Sequence, residues 1–218
     1  MASQETMLEL AEALIDIVKE KDPAKVSVSD IIAVAGKNRK TFYYHFMDKN
    51  HLIAWIFRSE LAKELSSRFS EDQLVYEPKT NDPCSTLPYY AFVKRGVRSI
   101  DGAEFFRAFA SSLENRRDFF SRILRNRSSD GLYEYLYKLY LPAMRSDIVF
   151  ILSNRHLKSE SIDFLAEFYT DAFLSFMSRR MCITGTQKPL LEGSGSFANL
   201  IHESLENQIK EQQLKRML

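Results

Sequence analysis

The sequence predicts an all-α protein, and three observations carry that expectation. Of 218 residues 45% are hydrophobic, with 16 Phe and 10 Tyr, yet only 7 Gly and 6 Pro are available for hairpin turns. Apolar residues recur at three-and-four spacing along most of the chain. No repeat of fixed period and no low-complexity tract interrupts them, which argues against a solenoid.

The first helix is predicted from Met7, Leu10, Ala11, Leu14, Ile17 and Val18, which share one face between Ser3 and the break at Asp22-Pro23. Ser27 then opens Ser27-Val28-Ser29-Asp30, where the hydroxyl can accept a free backbone N–H and Asp30 can reach back. A short second helix follows, with Val28, Ile31, Ile32 and Ala35 as its stripe, and Gly36 closes it because glycine takes the left-handed conformation at little cost. Asn38 caps a third helix two residues later. Phe42 and Phe46 face its core side, leaving Arg39, Lys40, Thr41, Tyr43 and Tyr44 on other faces. Asp48 caps a fourth helix whose stripe of Ile53, Ile56, Phe57, Leu61 and Leu65 is long enough to leave a small head and enter the next unit.

Beyond that rod, residues 70–86 hold Pro78, Asn81, Asp82 and Pro83 and read as a long connection with freedom to move. Helical patterns are then expected over 87–97, 102–113, 118–124, 132–152 with a break near Pro142, and 159–182. A final helix carries Phe197, Leu200, Ile201, Leu205 and Ile209 after a connection that includes Thr184-Gly185 and Gly193 to Gly195.

The formal net charge of +1 does not advertise a nucleic-acid binder, but charge distribution matters more than its sum. Lys37, Arg39, Lys40 and Lys49 cluster with only Asp48 against them, as a small DNA footprint requires. Cys84 and Cys182 form no C-x-x-C or Cys/His cluster, so neither a metal motif nor a redox motif is suggested and a reduced, cytoplasmic setting is expected. No apolar run approaches the ~18 residues of a membrane span. No nucleophile elbow, phosphate-binding glycine loop or H-E-x-x-H pair is present, so neither enzyme activity nor a cofactor is expected.

The run Val26-Ser27-Val28-Ser29-Asp30-Ile31-Ile32 with Ala35-Gly36, then Arg39-Lys40-Thr41-Phe42-Tyr43-Tyr44-His45-Phe46 and Asp48-Lys49-Asn50-His51-Leu52, resembles the N-terminal signature of TetR/AcrR-family regulators. About a quarter of the chain carries that resemblance. It implies a helix-turn-helix head over 1–48 and a helical effector-binding and dimerisation body over 49–218. Two positions depart from the family pattern: Lys37 stands where an apolar residue is usual, and Lys40 where Gly often precedes the Thr. Both add positive charge beside the third helix.

The DNA-binding set is therefore Ser27, Ser29, Lys37, Asn38, Arg39, Lys40, Thr41, Tyr43, Tyr44, His45 and Lys49. Arg39 is the candidate for base-edge readout, while Thr41 and Lys49 are assigned to phosphate. By the resemblance Tyr43 and Tyr44 contact phosphate or base. His45 suits a contact or a packing role equally, and Ser29 suits a contact or a merely exposed position. The expected partner is a palindromic double-stranded operator, held by a homodimer through the helices near 159–182 and 196–209, with Phe173 and Leu205 as test positions on the seam.

A small-molecule effector is implied, but no ligand-binding residue is identifiable. Phe105, Phe106, Phe109, Phe119, Phe120, Tyr133, Tyr137 and Tyr140 suit a pocket lining collectively and core packing individually. The resemblance implies a ligand-responsive regulator, more often a repressor. The alternative is a TetR-like coactivator or protein-interaction module whose head has lost operator binding.

Overall fold

Local caps decide where the first helices begin. In the computed structural model, which describes residues 2–96, 99–125, 128–183, 188–192 and 197–217, α1 (Ala2–Glu20) ends before a 3₁₀ turn at Pro23–Lys25. Helix α2 (Val28–Val34) starts from a reciprocal cap: the Asp30 N–H donates to Ser27 Oγ at 3.2 Å, and the Ser27 N–H donates back to Asp30 Oδ2 at 2.8 Å. Gly36 closes it with φ +62°, and a Cβ there would meet nothing within 4 Å, so the backbone angle alone demands glycine. Asn38 Oδ1 accepts the Thr41 N–H at 2.9 Å to start α3 (Arg39–His45), and Asp48 Oδ1 accepts the His51 N–H at 2.8 Å to start α4 (Lys49–Arg68).

Helix α4 is buried around most of its girth, from Leu52 through Leu65. Its first turns pack with Leu10, Leu14, Ile31, Phe42 and Phe46 of the head, and its later turns with Phe105, Phe109, Phe120 and Tyr140 of the body, in one continuous apolar cluster. Trp55 meets Phe46 edge-on at 5.7 Å between ring centroids, while Phe57 meets Phe109 at 5.2 Å. Hydrophobic packing thus runs unbroken through the rod.

The body adds α5 (Ala103–Glu114), α6 (Arg117–Arg125), α7 (Leu132–Leu152), α8 (Ser159–Cys182) and α9 (Phe197–Met217), making nine α-helices among the described residues. Helix α5 lies on α4, α7 runs along α8, and α6 touches both α8 and α1. A second apolar cluster joins Ile148, Ile151 and Leu152 of α7 to Leu165 and Tyr169 of α8 and to Leu205 and Ile209 of α9. Among the described residues no helix is long and apolar enough to cross a membrane.

Four expectations are corrected. Of the span 87–97, where a helix is expected, the described residues 87–96 form none: β1 (Leu74–Val75) pairs antiparallel with β2 (Tyr90–Ala91), with Leu74 opposite Ala91 and Val75 opposite Tyr90, and β3 (Lys94–Gly96) pairs with β4 (Ser99–Ile100). Pro88 holds Leu87 extended, and the aromatic residues after it fit a pleated, half-buried surface. The break near Pro142 does not occur; α7 continues through it, since proline removes a single backbone donor and flanking Leu136, Tyr140 and Ile148 are packed on neighbouring helices. The connection over 70–86 is tied down rather than free, as Cys84 and Ser85 are buried against α4. Phe173 and Leu205 do not sit on an open seam: Phe173 packs on Phe106 and Phe109 at 4.7 and 5.0 Å, and Leu205 is fully buried within the protomer.

The fastening of that connection is a charged group inside the apolar rod. Arg58, fully buried, donates from Nη2 to the Cys84 carbonyl at 3.0 Å and to the Leu87 carbonyl at 2.5 Å, and from Nη1 to Tyr135 Oη at 2.9 Å and to Glu77. Burial alone works against the guanidinium charge, but Tyr135 and Glu77 more than restore it. Removing one member of such a network leaves the others desolvated and unpaired. Arg58→Met is therefore expected to lower unfolding free energy by roughly 3 kcal/mol or more, measured by denaturant melting; a drop below about 1 kcal/mol would show that the network is dispensable.

Candidate nucleic-acid interface

The two helices around Gly36 present α3 outward because Phe42 and Phe46, four residues apart, are both buried beneath it. Tyr44 is 80% exposed and Tyr43 53% exposed on its outer side, with Arg39 and Lys40 exposed at its start. Among the described residues Lys40, Tyr43 Oη and Tyr44 Oη make no hydrogen bond or ion pair, so their polar groups are available to a ligand. Arg39 reaches back along the surface of α2, its Nη2 standing 3.4 Å from Ser29 Oγ. The guanidinium keeps four further N–H donors beyond that long contact.

Other members of the expected set are engaged within the head. Ser27 and Asn38 spend their side chains on helix caps, and Thr41 Oγ1 donates to Asn38 Oδ1 at 3.1 Å. Lys37 pairs with Glu9 on α1, so the extra charge after the turn glycine is balanced locally. Lys49 Nζ donates to the carbonyls of Pro23 at 2.6 Å and Val26 at 2.9 Å, and burial pulls its pKa down. It clamps the connection between α1 and α2 onto α4, and its third donor remains. His45 is half-buried, set edge-on to Tyr44 at 4.8 Å, and burial lowers its pKa.

Several head residues escaped the sequence reading. Lys21 donates to Asp30 Oδ2 at 2.9 Å, and that bond first, then the Ser27 N–H and hydroxyl, holds the carboxyl well below its usual range. Arg116 in the body donates to Glu12 Oε1 of α1 at 2.6 Å and to Glu60 Oε1 of α4 at 3.1 Å. Asn50 Nδ2 donates to Asp130 Oδ2 at 2.9 Å, and His51 Nε2 lies 3.1 Å from Asp82 Oδ1. The Arg116 contacts join α1 and α4 through the residue that precedes α6, and the Asn50 and His51 contacts hold the first turn of α4. A mixed-charge face in α1 and an Arg within an apolar helix were the only sequence signals, and neither names its partner.

The aromatic residues proposed for a pocket divide. Phe105, Phe109, Phe119, Phe120 and Tyr140 are buried in the core, and Phe106 packs on its edge. Tyr133 and Tyr137 instead line an outer groove of about 380 Å³ with Glu134, Phe164, Glu167, Phe168 and Asp171. A larger cleft of about 790 Å³ lies between α1 and the α5–α6 corner, lined by residues that include Glu12, Ile15, Val18, Arg116, Phe119 and Arg122.

Comparison with known proteins agrees with this geometry. Residues 7–55 match the family described as bacterial regulatory proteins, tetR family, and residues 103–181 match the transcriptional regulator C-terminal region called TetR_C_8. The HTH-type dhaKLM operon transcriptional activator DhaS of Lactococcus lactis subsp. lactis (strain IL1403) is 35% identical over 54 residues, a match spanning 25% of this chain and 29% of that relative's length. A solved structure titled dihydroxyacetone kinase operon activator DhaS superposes with a TM-score of 0.51 at 16% identity, covering 93% of this chain and 97% of that one, a likeness of fold. Matched at its head and again in its body, the chain belongs to the TetR family of transcriptional regulators.

Proposed function

We propose that the protein is a cytoplasmic, ligand-responsive regulator that binds a palindromic operator as a homodimer, with residues 1–48 as the reading head and 49–218 as the effector and dimerisation body. The exposed face of α3 carries this reading: two tyrosines, an arginine and a lysine project from a helix that two buried phenylalanines hold in place. Arg39 is the base reader, because its free donors can fork onto guanine. Lys40, Tyr43 and Tyr44 take phosphate or sugar, with Thr41 and Ser29 beside them. Ser27, Lys37, Asn38 and Lys49 act mainly by holding α2 and α3 in register. A bacterial source and repression follow the family expectation; the activator named among the relatives favours activation as the second reading. A reporter gene behind the selected operator separates them, since expression rises with the regulator in one case and falls in the other.

The homodimer is assigned to α8 and α9, through side chains that the protomer leaves uncovered. Phe164 is 62% and Phe168 54% exposed, stacked at 6.1 Å between centroids, and Leu200 and Leu214 are exposed on α9. Ser196 and the side chains of Phe197 and Ile201 lie outside the described residues. Large exposed apolar side chains on these two helices, with Phe164 and Phe168 stacked together, favour an association face. An effector acts by preferring one placement of the heads, and the polar bonds from Arg116, Asn50 and His51 are individually weak enough to exchange.

On this reading Arg39→Ala weakens operator binding by roughly 1–3 kcal/mol per half-site and relaxes preference at one base position. Lys40→Ala weakens operator and random duplex alike and reduces the salt slope by about 0.9 for each phosphate it no longer neutralises. Titrations over a salt series check both; a relaxed base preference from Lys40→Ala with none from Arg39→Ala would reverse the two roles. For the seam, Phe168→Asp is expected to yield folded monomers by sedimentation, whereas Phe173→Asp disrupts the protomer itself. Unchanged dimers from Phe168→Asp would move the interface elsewhere.

A further inference from the structure

Three donors of different chemistry converge where the head meets the body. His51 stands in the first turn of α4, immediately after the recognition helix, while Asp82 and Cys84 flank Pro83 at the 3₁₀ turn that Arg58 pins against α4. One ligand atom from each, an imidazole nitrogen, a carboxylate oxygen and a thiol sulfur, lies within 4.8 Å of the other two. We propose that His51, Asp82 and Cys84 bind a divalent transition-metal ion of the zinc type, clipping the start of α4 to the body.

The donor set suits such an ion: nitrogen, oxygen and sulfur ligands together select zinc and its borderline-soft neighbours over magnesium or calcium. Tetrahedral donors at zinc distances stand roughly 3.3–3.6 Å apart. His51 Nε2 and Asp82 Oδ1 are already 3.1 Å apart, and with all three ligand atoms within 4.8 Å of one another the sulfur is the donor that must move to close the set. Charge also balances, because one carboxylate and one thiolate neutralise a dication, while the nearby Arg58 charge is met by Glu77. Cys84 and His51 form the buried wall, and Asp82, with its side chain 42% exposed, opens the site to an entering ion and a fourth, solvent ligand.

Binding has a consequence for the head. The Met47 N–H donates to His51 Nδ1 at 3.1 Å, which puts the ring proton on Nε2, where it is donated to Asp82. A metal at Nε2 needs that lone pair, so the ring proton moves to Nδ1 and Met47 loses its acceptor; the thiol proton of Cys84 is released to solvent. Met47 is the second residue after α3, so filling the site loosens the turn that follows the recognition helix. This inference is independent of whether α3 touches DNA.

Cobalt(II) tests it in the full-length chain carrying Cys182→Ser, which leaves Cys84 as the sole thiol. One equivalent per chain is expected to give a near-ultraviolet thiolate-to-cobalt absorption with tetrahedral visible bands, and to quench Trp55, the only tryptophan, which lies one turn from His51. Zinc erases both signals. Cys84→Ser should remove the charge-transfer absorption, and Asp82→Asn, which keeps an oxygen to cap the turn, should weaken binding by about tenfold or more. Hydrogen exchange at the Met47 amide should quicken when metal is bound. Absence of the cobalt bands, or their survival in Cys84→Ser, overturns the site; an unchanged Met47 amide in the metal-loaded protein overturns its link to the head.

Discussion

The packing of the chain along α4 depends on Arg58, the more deeply buried of that helix's two buried charges. Apolar contacts alone would cover the rod without fixing which backbone group lies where, because hydrophobic burial is non-directional. Arg58 adds direction, because its guanidinium must meet the Cys84 and Leu87 carbonyls, Glu77 and Tyr135 at once. Hydrogen bonds inside a desolvated site tolerate little displacement, and leaving any of these groups unpaired is costly. The irregular segment over 70–91 is thereby laid along α4, and its short strands complete the cover.

The polar ties that hold α1 and the start of α4 to the rest of the chain are different in kind. Arg116 to Glu12, Asn50 to Asp130 and His51 to Asp82 are polar, partly solvated and single-layered. Contacts of that sort contribute about 1 kcal/mol or less each. The structure thus combines one buried polar network and a continuous apolar cluster with several more exposed polar ties. Body aromatics such as Phe105, Phe109, Phe120 and Tyr140 pack ring on ring, so motion within that core proceeds between packed alternatives rather than by smooth deformation.

Much of the head was legible because its determinants are local. Ser27 with Asp30, Gly36, Asn38 and Asp48 each act within three residues, and the alternation of buried Phe42 and Phe46 with exposed tyrosines follows from helical spacing alone. What the sequence hid was the identity of distant partners. Lys37 and Lys49 read as free charges, yet Glu9 and the carbonyls of Pro23 and Val26 occupy them. Residues 87–97 carry enough apolar side chains for a helix, but Leu74 and Val75 offer a strand edge that only the folded chain brings near. Similarly, an apolar stripe announces that Phe173 and Leu205 will be covered without saying whether the covering atoms come from the same protomer or a second one.

The most direct test of the account is selection of duplexes from a random pool by the purified full-length protein, followed by sequencing and footprinting of the enriched fragments. A two-fold symmetric reader with its recognition helices in adjacent major grooves should enrich an inverted repeat whose half-sites are spaced by whole helical turns, roughly 10–10.5 base pairs or a multiple. Enrichment should fail with Tyr44→Ala combined with Arg39→Ala, in protein whose helical content and melting are unchanged. Recovery of no inverted repeat by folded wild-type dimer, or equal enrichment by the double variant, would contradict the assignment of α3 as the surface that reads DNA.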